Sequence, residues 1–347
     1  MTTTALVTGG SGFVAAQIIR RLLEDKQNVH ATVRSLANKS KCQYLLKMQM
    51  EFPGQLELFE ADLLVPGSFD GAMKGCTIVH HVASPFLLPE QIKDGQSQLV
   101  TPALEGTRNV LESVNKNQDI TRVVMTSTIG AIFGDYIDVH SMKDRILSED
   151  YFNTSSSVTN NPYHYSKVIA EQEAWKISKA QNRWSLVCIN PGMVLGPSSA
   201  GNSDSGSLFL LDEMLKGYFF YGMPDLSLAT VDVREVAQAH LVAAKNLEAH
   251  GRYILCDVDM ASFVEISRIL RKFHKRPYLL PRHQISNWIV RILGPLFGLS
   301  QSYMSAHLGL RFKSDNRRSV QELGITYRPL EETLRDHYKS WVVHKKA

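Results

Sequence analysis

This 347-residue chain is missing the marks of several protein classes. It has four cysteines, Cys42, Cys76, Cys188 and Cys256, far apart, with no C-x-x-C and no Cys/His cluster. Such spacing argues against a zinc site or a disulfide framework and fits reduced thiols in a cytoplasmic setting; no metal is expected. Dense Lys/Arg runs are absent apart from His344-Lys345-Lys346, and the net charge of +4 is spread out. Nucleic-acid binding needs clustered cations to neutralise phosphates, so no such partner is expected. The longest apolar run near the C-terminus, residues 288–299, is short and carries Arg291. A bilayer needs about 20 apolar residues, so no membrane span is expected and this run reads as a surface or core helix. The first strand starts almost at Met1, which leaves no room for a leader peptide. No repeat appears, which removes solenoids.

What is present is 44% hydrophobic and 21% charged sequence, ordinary for a globular protein with a full core. Short apolar strands at 5–7, 29–33, 56–59, 77–82, 122–127 and 185–189 alternate with helices at 13–23, 39–50 and 100–114 and one starting near Pro162. Near-continuous apolar strands alternating with helices predict a Rossmann-type, doubly wound parallel sheet covered on both faces. After Pro191 the alternation becomes irregular, and Gly and Ser crowd residues 196–207. The expected division is a nucleotide-binding domain over 1–190 and a smaller, mixed, mainly substrate-binding region over 191–347, with some segments returning to the first.

Thr8-Gly9-Gly10-Ser11-Gly12-Phe13-Val14-Ala15 joins the first strand to the first helix. Gly9 suits a tight turn, and Gly12 suits close approach to a pyrophosphate held at the helix N-terminus. Ser11, Phe13 and Val14 complete that candidate contact. The second strand ends Val33-Arg34-Ser35, where an NAD site ordinarily places a carboxylate. Arg34 instead offers a planar fork for a 2′-phosphate, with Lys39 and Lys41 close behind, so NADP(H) is the expected cofactor. Asp62 could accept from an adenine amino group with Leu63 over the ring, or cap a helix near Pro66. Val82, Ala83 and Ser84 follow the fourth strand and would run close to the cofactor. His80 and His81 are expected to be structural.

Tyr163 and Lys167 lie four apart on one helix face, whereas Tyr165 points elsewhere. A free tyrosine titrates near pH 10, too high for acid–base work at neutral pH. A lysine ammonium at ~4 Å and effective dielectric ~20 would favour phenolate by roughly 4 kcal/mol, before its own desolvation is charged against it. Thr126-Ser127-Thr128 puts hydroxyls at the C-terminal edge of the sheet, where ligands of open α/β sheets bind. Successive strand residues face opposite sides. Thr128 is therefore expected to meet the substrate oxygen, and Ser127 to cap backbone.

On these segments the chain resembles the extended short-chain dehydrogenase/reductases, in the branch of dihydroflavonol reductase, cinnamoyl-CoA reductase and methylglyoxal/aldehyde reductase. The matching stretches include G-F-V-A-A-Q at 12–17, H-V-A-S-P at 81–85, E-G-T-R-N-V-L at 105–111 and T-S-T-I-G-A-I-F at 126–133. They continue with N-P-Y-H-Y-S-K-V-I-A-E at 161–171, N-P-G-M-V-L-G-P at 190–197 and V-D-V-R-E-V-A-Q-A-H at 231–240. The resemblance implies catalysis by Thr128, Tyr163 and Lys167, with Tyr163 and Lys167 also touching the cofactor. It implies nicotinamide contacts from Pro191, Gly192, Met193 and Val194 and a phosphate contact within 203–207, at Ser205. Phe86, Ile129 and Phe133 stand as candidate substrate contacts; Asp232 and Arg234 are expected to be structural. The chain departs from the family's T-S-S at Thr128, from its Arg-then-Lys spacing around Lys39 and Lys41, and over residues 134–161. The expected activity is NADPH-dependent reduction of an aldehyde or ketone by a monomer or homodimer. A hydroxysteroid dehydrogenase or sugar epimerase/dehydratase is the same-fold alternative, and a non-catalytic NADP(H) sensor the different-class one.

Overall fold

The computed structural model describes residues 3–85, 87, 91–198 and 205–344. Its centre is a seven-stranded parallel sheet: β1 (Thr4–Val7), β2 (Asn28–Val33), β3 (Leu56–Glu60), β4 (Ile78–His81), β5 (Arg122–Thr126), β6 (Ser185–Pro191) and β7 (Gly251–Leu255). The spatial order is β7-β6-β5-β4-β1-β2-β3. That order reverses direction between β1 and β4, and the crevice above such a switch point is where open α/β sheets bind ligands.

Helices cover both faces because the strands are buried on both. On one face α1 (Phe13–Glu24) turns Ile18, Ile19, Leu22 and Leu23 onto β1 and β2. On the other, α3 (Thr101–Lys116) and α4 (Pro162–Lys179) close over Leu6, Val79, Val123 and Cys188. Helix α2 (Lys39–Glu51) crosses between β2 and β3. The strand β7 and the helix α5 (Val233–Lys245) come from beyond Pro191 yet complete this layer, α5 packing beside α1.

The remaining C-terminal segments build a separate core around Leu195, Met214, Ile266, Leu270 and Leu334, supported by two-stranded pieces such as Met193–Leu195 with Thr230–Asp232. Asp232 caps α5 reciprocally with Glu235, and Arg234 ties Asp232 to Asp336 on the last helix at 2.7 and 2.9 Å. Both residues hold the two regions together, the structural role expected of them. The apolar run at 288–299 forms the helix Asn287–Leu293 and a 3₁₀ turn, Gly294–Phe297, on the surface. Among the described residues no helix is long and apolar enough to cross a membrane. All four cysteines are free and buried.

Candidate active site

The glycine turn is held by β2 and the segment after β4. Gly9 has φ +69°, and a Cβ there would lie 2.9 Å from Ala83 Cα, so neither the backbone angle nor the space admits a side chain. Gly10 N donates to Thr32 O at 2.7 Å, fixing the turn to the strand end. Thr8 Oγ1 accepts from Val82 N at 3.0 Å and Ala83 N at 2.9 Å, so its own proton is left for His81 Nδ1 at 3.1 Å. Burial drives the His81 and His80 imidazoles down to about 3, and His80 packs on His240. Both are neutral and structural, in line with expectation.

A cavity of about 800 Å³ opens over this turn. Gly9, Ser11, Gly12, Phe13 and Val14 line its floor, Arg34, Lys41, Asp62 and Leu63 one end, and Val82, Ala83 and Ser84 its middle. Thr128, Ile129, Phe133, Tyr163 and Lys167 face the other end, with Pro191, Gly192, Met193, Val194 and Ser205 along the far wall. The candidate residues inside the described stretches thus meet one space, with the exception of Lys39, which does not line it; Phe86 and residues 203–204 lie outside those stretches. The donor set fits a dinucleotide. Gly12 contributes no side-chain cap and the first turn of α1 holds no acid, so its amides present an uncontested positive end to the diphosphate position.

At the chemical end, Asn161 adopts φ +54°, an angle asparagine tolerates, and its side chain accepts from His164 N at 3.3 Å. Pro162 follows at the first helical position, where no amide is needed. This start aims Tyr163 and Lys167 into the cavity, while Tyr165 does not line it. Lys167 Nζ donates to Ser84 Oγ at 2.7 Å and lies 5.7 Å from the Tyr163 ring centroid. Burial pushes the Tyr163 phenol up to about 12 and the Lys167 ammonium down to about 8. The depressed tyrosine expected from the lysine's charge is therefore not found in the protein by itself. Desolvation opposes both charged forms, and the lysine's near partner is a neutral hydroxyl.

The two neighbouring hydroxyls have opposite environments. Ser127 is buried, and its Oγ donates to Glu171 Oε2 at 2.5 Å. Asn190 Nδ2 donates to the same oxygen at 2.9 Å and to Thr128 O at 3.1 Å. Arg252 Nε lies 2.6 Å from Glu171 Oε1 but off the N–H axis, an ion contact rather than a hydrogen bond. Thr128 Oγ1 accepts from Gly130 N at 3.2 Å and donates to Pro191 O at 3.3 Å. Backbone capping thus belongs to Thr128 and not to Ser127, because the fully buried Glu171 carboxylate draws the Ser127 hydroxyl away from the main chain.

Asp62 also departs from one of its two readings. No helix starts near Pro66; its Oδ1 accepts from Leu64 N at 2.8 Å in a turn.

Sequence reasoning missed Tyr136, His164, Leu228 and Ala229, which also line the cavity. Phe133 meets Tyr136, His164 and Phe312 edge-on, with centroids 6.0, 6.1 and 5.1 Å away, and Tyr136 Oη donates to Ser227 O at 2.6 Å. His164 occupies the space Gly130 leaves open, since a Cβ there would lie 2.4 Å from its Cδ2. The histidine inside Y-H-Y-S-K was a visible signal; Leu228 and Ala229 carried none.

The model of the family described as "NAD dependent epimerase/dehydratase family" matches residues 5–256. A cinnamoyl-CoA reductase of Medicago truncatula is 36% identical over 96% of this chain and 94% of its own length. A tetraketide alpha-pyrone reductase of Arabidopsis thaliana is 31% identical over 97% and 94%. Among solved structures, Gre2 of Candida albicans in complex with NADPH superposes with a TM-score of 0.77 at 29% identity, covering 99% of each chain. Yeast methylglyoxal/isovaleraldehyde reductase Gre2 complexed with NADPH shares the fold, with a TM-score of 0.79 at 24% identity and 99% coverage of each. With its sheet order, glycine turn and Tyr–Lys pair in one cavity, the chain belongs to the NAD-dependent epimerase/dehydratase family of extended short-chain dehydrogenase/reductases and is an oxidoreductase acting on CH–OH and C=O groups.

Proposed function

We propose that the protein is a cytoplasmic, NADPH-dependent carbonyl reductase that converts an aldehyde or ketone to the alcohol, acting as a monomer or homodimer. The observation that carries this reading is the meeting of Thr128, Tyr163 and Lys167 at one end of a cavity whose other end holds Arg34 and Lys41. Residues 1–190 form the nucleotide side and 191–347 mainly the substrate side. Arg34 and Lys41 hold the 2′-phosphate, since no acid ends β2 and Glu60 is engaged by the Leu36 amide at 2.6 Å. The amides of Gly12–Val14 hold the diphosphate, and Asp62 and Leu63 the adenine.

NADPH, when bound, supplies the hydride. Thr128 orients the substrate oxygen, and Tyr163 donates its phenolic proton to that oxygen as it becomes an alkoxide. A phenol held protonated by burial is ready to give a proton in the reducing direction. Lys167 lies beside it, its ammonium positioned by Ser84, to stabilise the phenolate that proton transfer leaves. Ile129 and Phe133 bound the substrate with an apolar wall, and Phe86, outside the described residues, is a further candidate contact. The reductases among its relatives favour this reading over an epimerase or dehydratase. The test follows absorbance loss of NADPH, and separately NADH, over aldehydes, ketones and nucleotide sugars. Turnover of carbonyl compounds with NADPH preferred is expected; turnover of nucleotide sugars alone would overturn the reading.

A further inference from the structure

Seven of the nine exposed aromatic side chains among the described residues lie between positions 218 and 303. They gather around one helix–turn unit. The helix Asn287–Leu293 buries Val290, and the turn Gly294–Phe297 buries Gly294 against Met304. Trp288, Ile292, Leu296 and Phe297 point the other way and are 66, 65, 80 and 71% exposed. A single exposed apolar residue is ordinary, but four on one short unit form a patch that calls for a partner.

The neighbouring chain enlarges the patch. Met223 N donates to His283 O at 3.2 Å and Ile285 N to Met223 O at 2.8 Å, which brings Phe220 and Tyr221 to the same edge. Gly217 packs on Leu279, which joins the segment of the exposed Tyr218 to that of the exposed Tyr278.

Charge selects the partner. Residues 266–314 contain nine Lys and Arg and no Asp or Glu. Arg268 and Lys272 lie against Glu265 and Glu331. Lys275, Arg276, Arg282 and Arg291 are exposed, and among the described residues they have no carboxylate at ion-pair distance. An isologous pairing of two copies would set these four uncompensated cations against their own counterparts. A surface that accepts aromatic and aliphatic insertion and also carries negative charge complements both features.

We propose that this face docks the protein peripherally on a membrane surface rich in anionic lipid headgroups. Trp288, Ile292, Leu296 and Phe297 enter the boundary between headgroups and acyl chains, while Arg282 and Arg291 meet headgroup phosphates and carboxylates. None of these residues lines the catalytic cavity, so docking leaves the chemistry untouched.

The experiment is flotation of the full chain with vesicles of phosphatidylcholine alone and of phosphatidylcholine mixed with phosphatidylserine. The protein is expected to float with the mixed vesicles and to be released by salt. Arg282→Gln with Arg291→Gln should weaken partitioning roughly twenty-five-fold, on the order of fivefold per charge. Trp288→Ser with Phe297→Ser should abolish it, and both double variants should melt at the wild-type temperature. No flotation with either vesicle, or equal flotation with both, overturns the proposal. So does a concentration-dependent dimer without flotation that the Trp288→Ser, Phe297→Ser variant dissolves, which would assign the face to a second copy.

Discussion

The two sides of the cavity are built differently. On the nucleotide side the strands pair in parallel, and the turns that carry the site start from local backbone devices, which neighbouring strand ends then hold, as Val82 and Ala83 hold Thr8. Gly9 with its φ of +69°, Asn161 with +54° and Pro162 after it are local devices that aim backbone or side chains at one sheet edge. On the substrate side the wall is assembled from distant pieces. Phe133 meets Phe312, Tyr136 bonds Ser227, and Leu228 and Ala229 arrive from beyond the sixth strand. The contrast suggests a division of labour: chemistry and cofactor grip on short-range geometry, shape of the substrate space on long-range packing. A site divided this way can change its substrate without disturbing its proton donor.

The strongest challenge to that division is removal of the proton donor. Tyr163→Phe should lower kcat by about 10²–10⁴-fold, the range for a general acid, with NADPH binding retained by fluorescence titration. Tyr165→Phe, outside the cavity, should stay near wild type; equal damage from both would mean the helix face is misassigned.

Next in size is the pair of hydroxyls. Thr128→Val should cut kcat ~10²–10³-fold while Thr128→Ser retains most activity. Ser127→Ala should keep activity within about tenfold and instead lower stability by roughly 1–3 kcal/mol, because the buried Glu171 loses a donor. Steady-state rates and thermal melts of the three variants separate the roles, and the reverse ranking would move the oxygen contact to Ser127.

Lys167 links function to a stability cost. Its pKa falls from 10.5 to about 8 on burial. Between those values the unfolded chain binds the proton more readily, so the ligand-free protein should gain stability as pH rises from about 8 to 10.5. Below pH 8 the full cost is present, at most roughly 3 kcal/mol. Lys167→Met should be inactive, more stable at pH 7, and without that slope in a melting series against pH. An identical slope in the variant would place the titration elsewhere.

Smaller still is the cofactor grip. Arg34→Ala should raise KM for NADPH about tenfold or more, as loss of a charge-assisted contact worth roughly 1.5–3 kcal/mol implies, and leave NADH little changed. The smallest effect tests the other wall. Leu228→Ala should alter KM among carbonyl substrates by about tenfold while NADPH binding holds, the low end of the roughly 1–3 kcal/mol that a trimmed apolar contact is worth, since Leu228 is only half-buried. A collapse of cofactor binding in that variant would break the proposed division.

Much of the nucleotide half was legible before any coordinates. Six strands fell where apolar runs of three to six residues are bounded by polar turns, because a strand covered on both faces is largely apolar. The glycine turn and the four-residue spacing of Tyr163 and Lys167 are likewise local facts. Two expectations failed for nonlocal reasons, and one of the two readings of Asp62 was closed by a local turn. Ser127 turned to Glu171, 44 positions on, instead of the backbone. Asp62 met Leu64 N and capped no helix. The Tyr163 phenol rose because burial outweighed a charge that sits on Ser84.

By itself the sequence determined the parallel α/β class, the nucleotide turn and the residues able to move a proton. Those depend on hydrophobic period, on backbone angles only certain residues tolerate, and on side-chain chemistry, all of which act over a few residues. Tertiary structure alone decided that Ser127, which lines the cavity as Thr128 does, gives its hydroxyl to Glu171, how burial shifts the Tyr–Lys pair, and that His164, Tyr136 and Leu228 share the cavity. It also gathered aromatic side chains from 218–221 and 278–303 onto one basic face. Desolvation and packing depend on what surrounds a group in space, and those neighbours lie tens to hundreds of residues away along the chain.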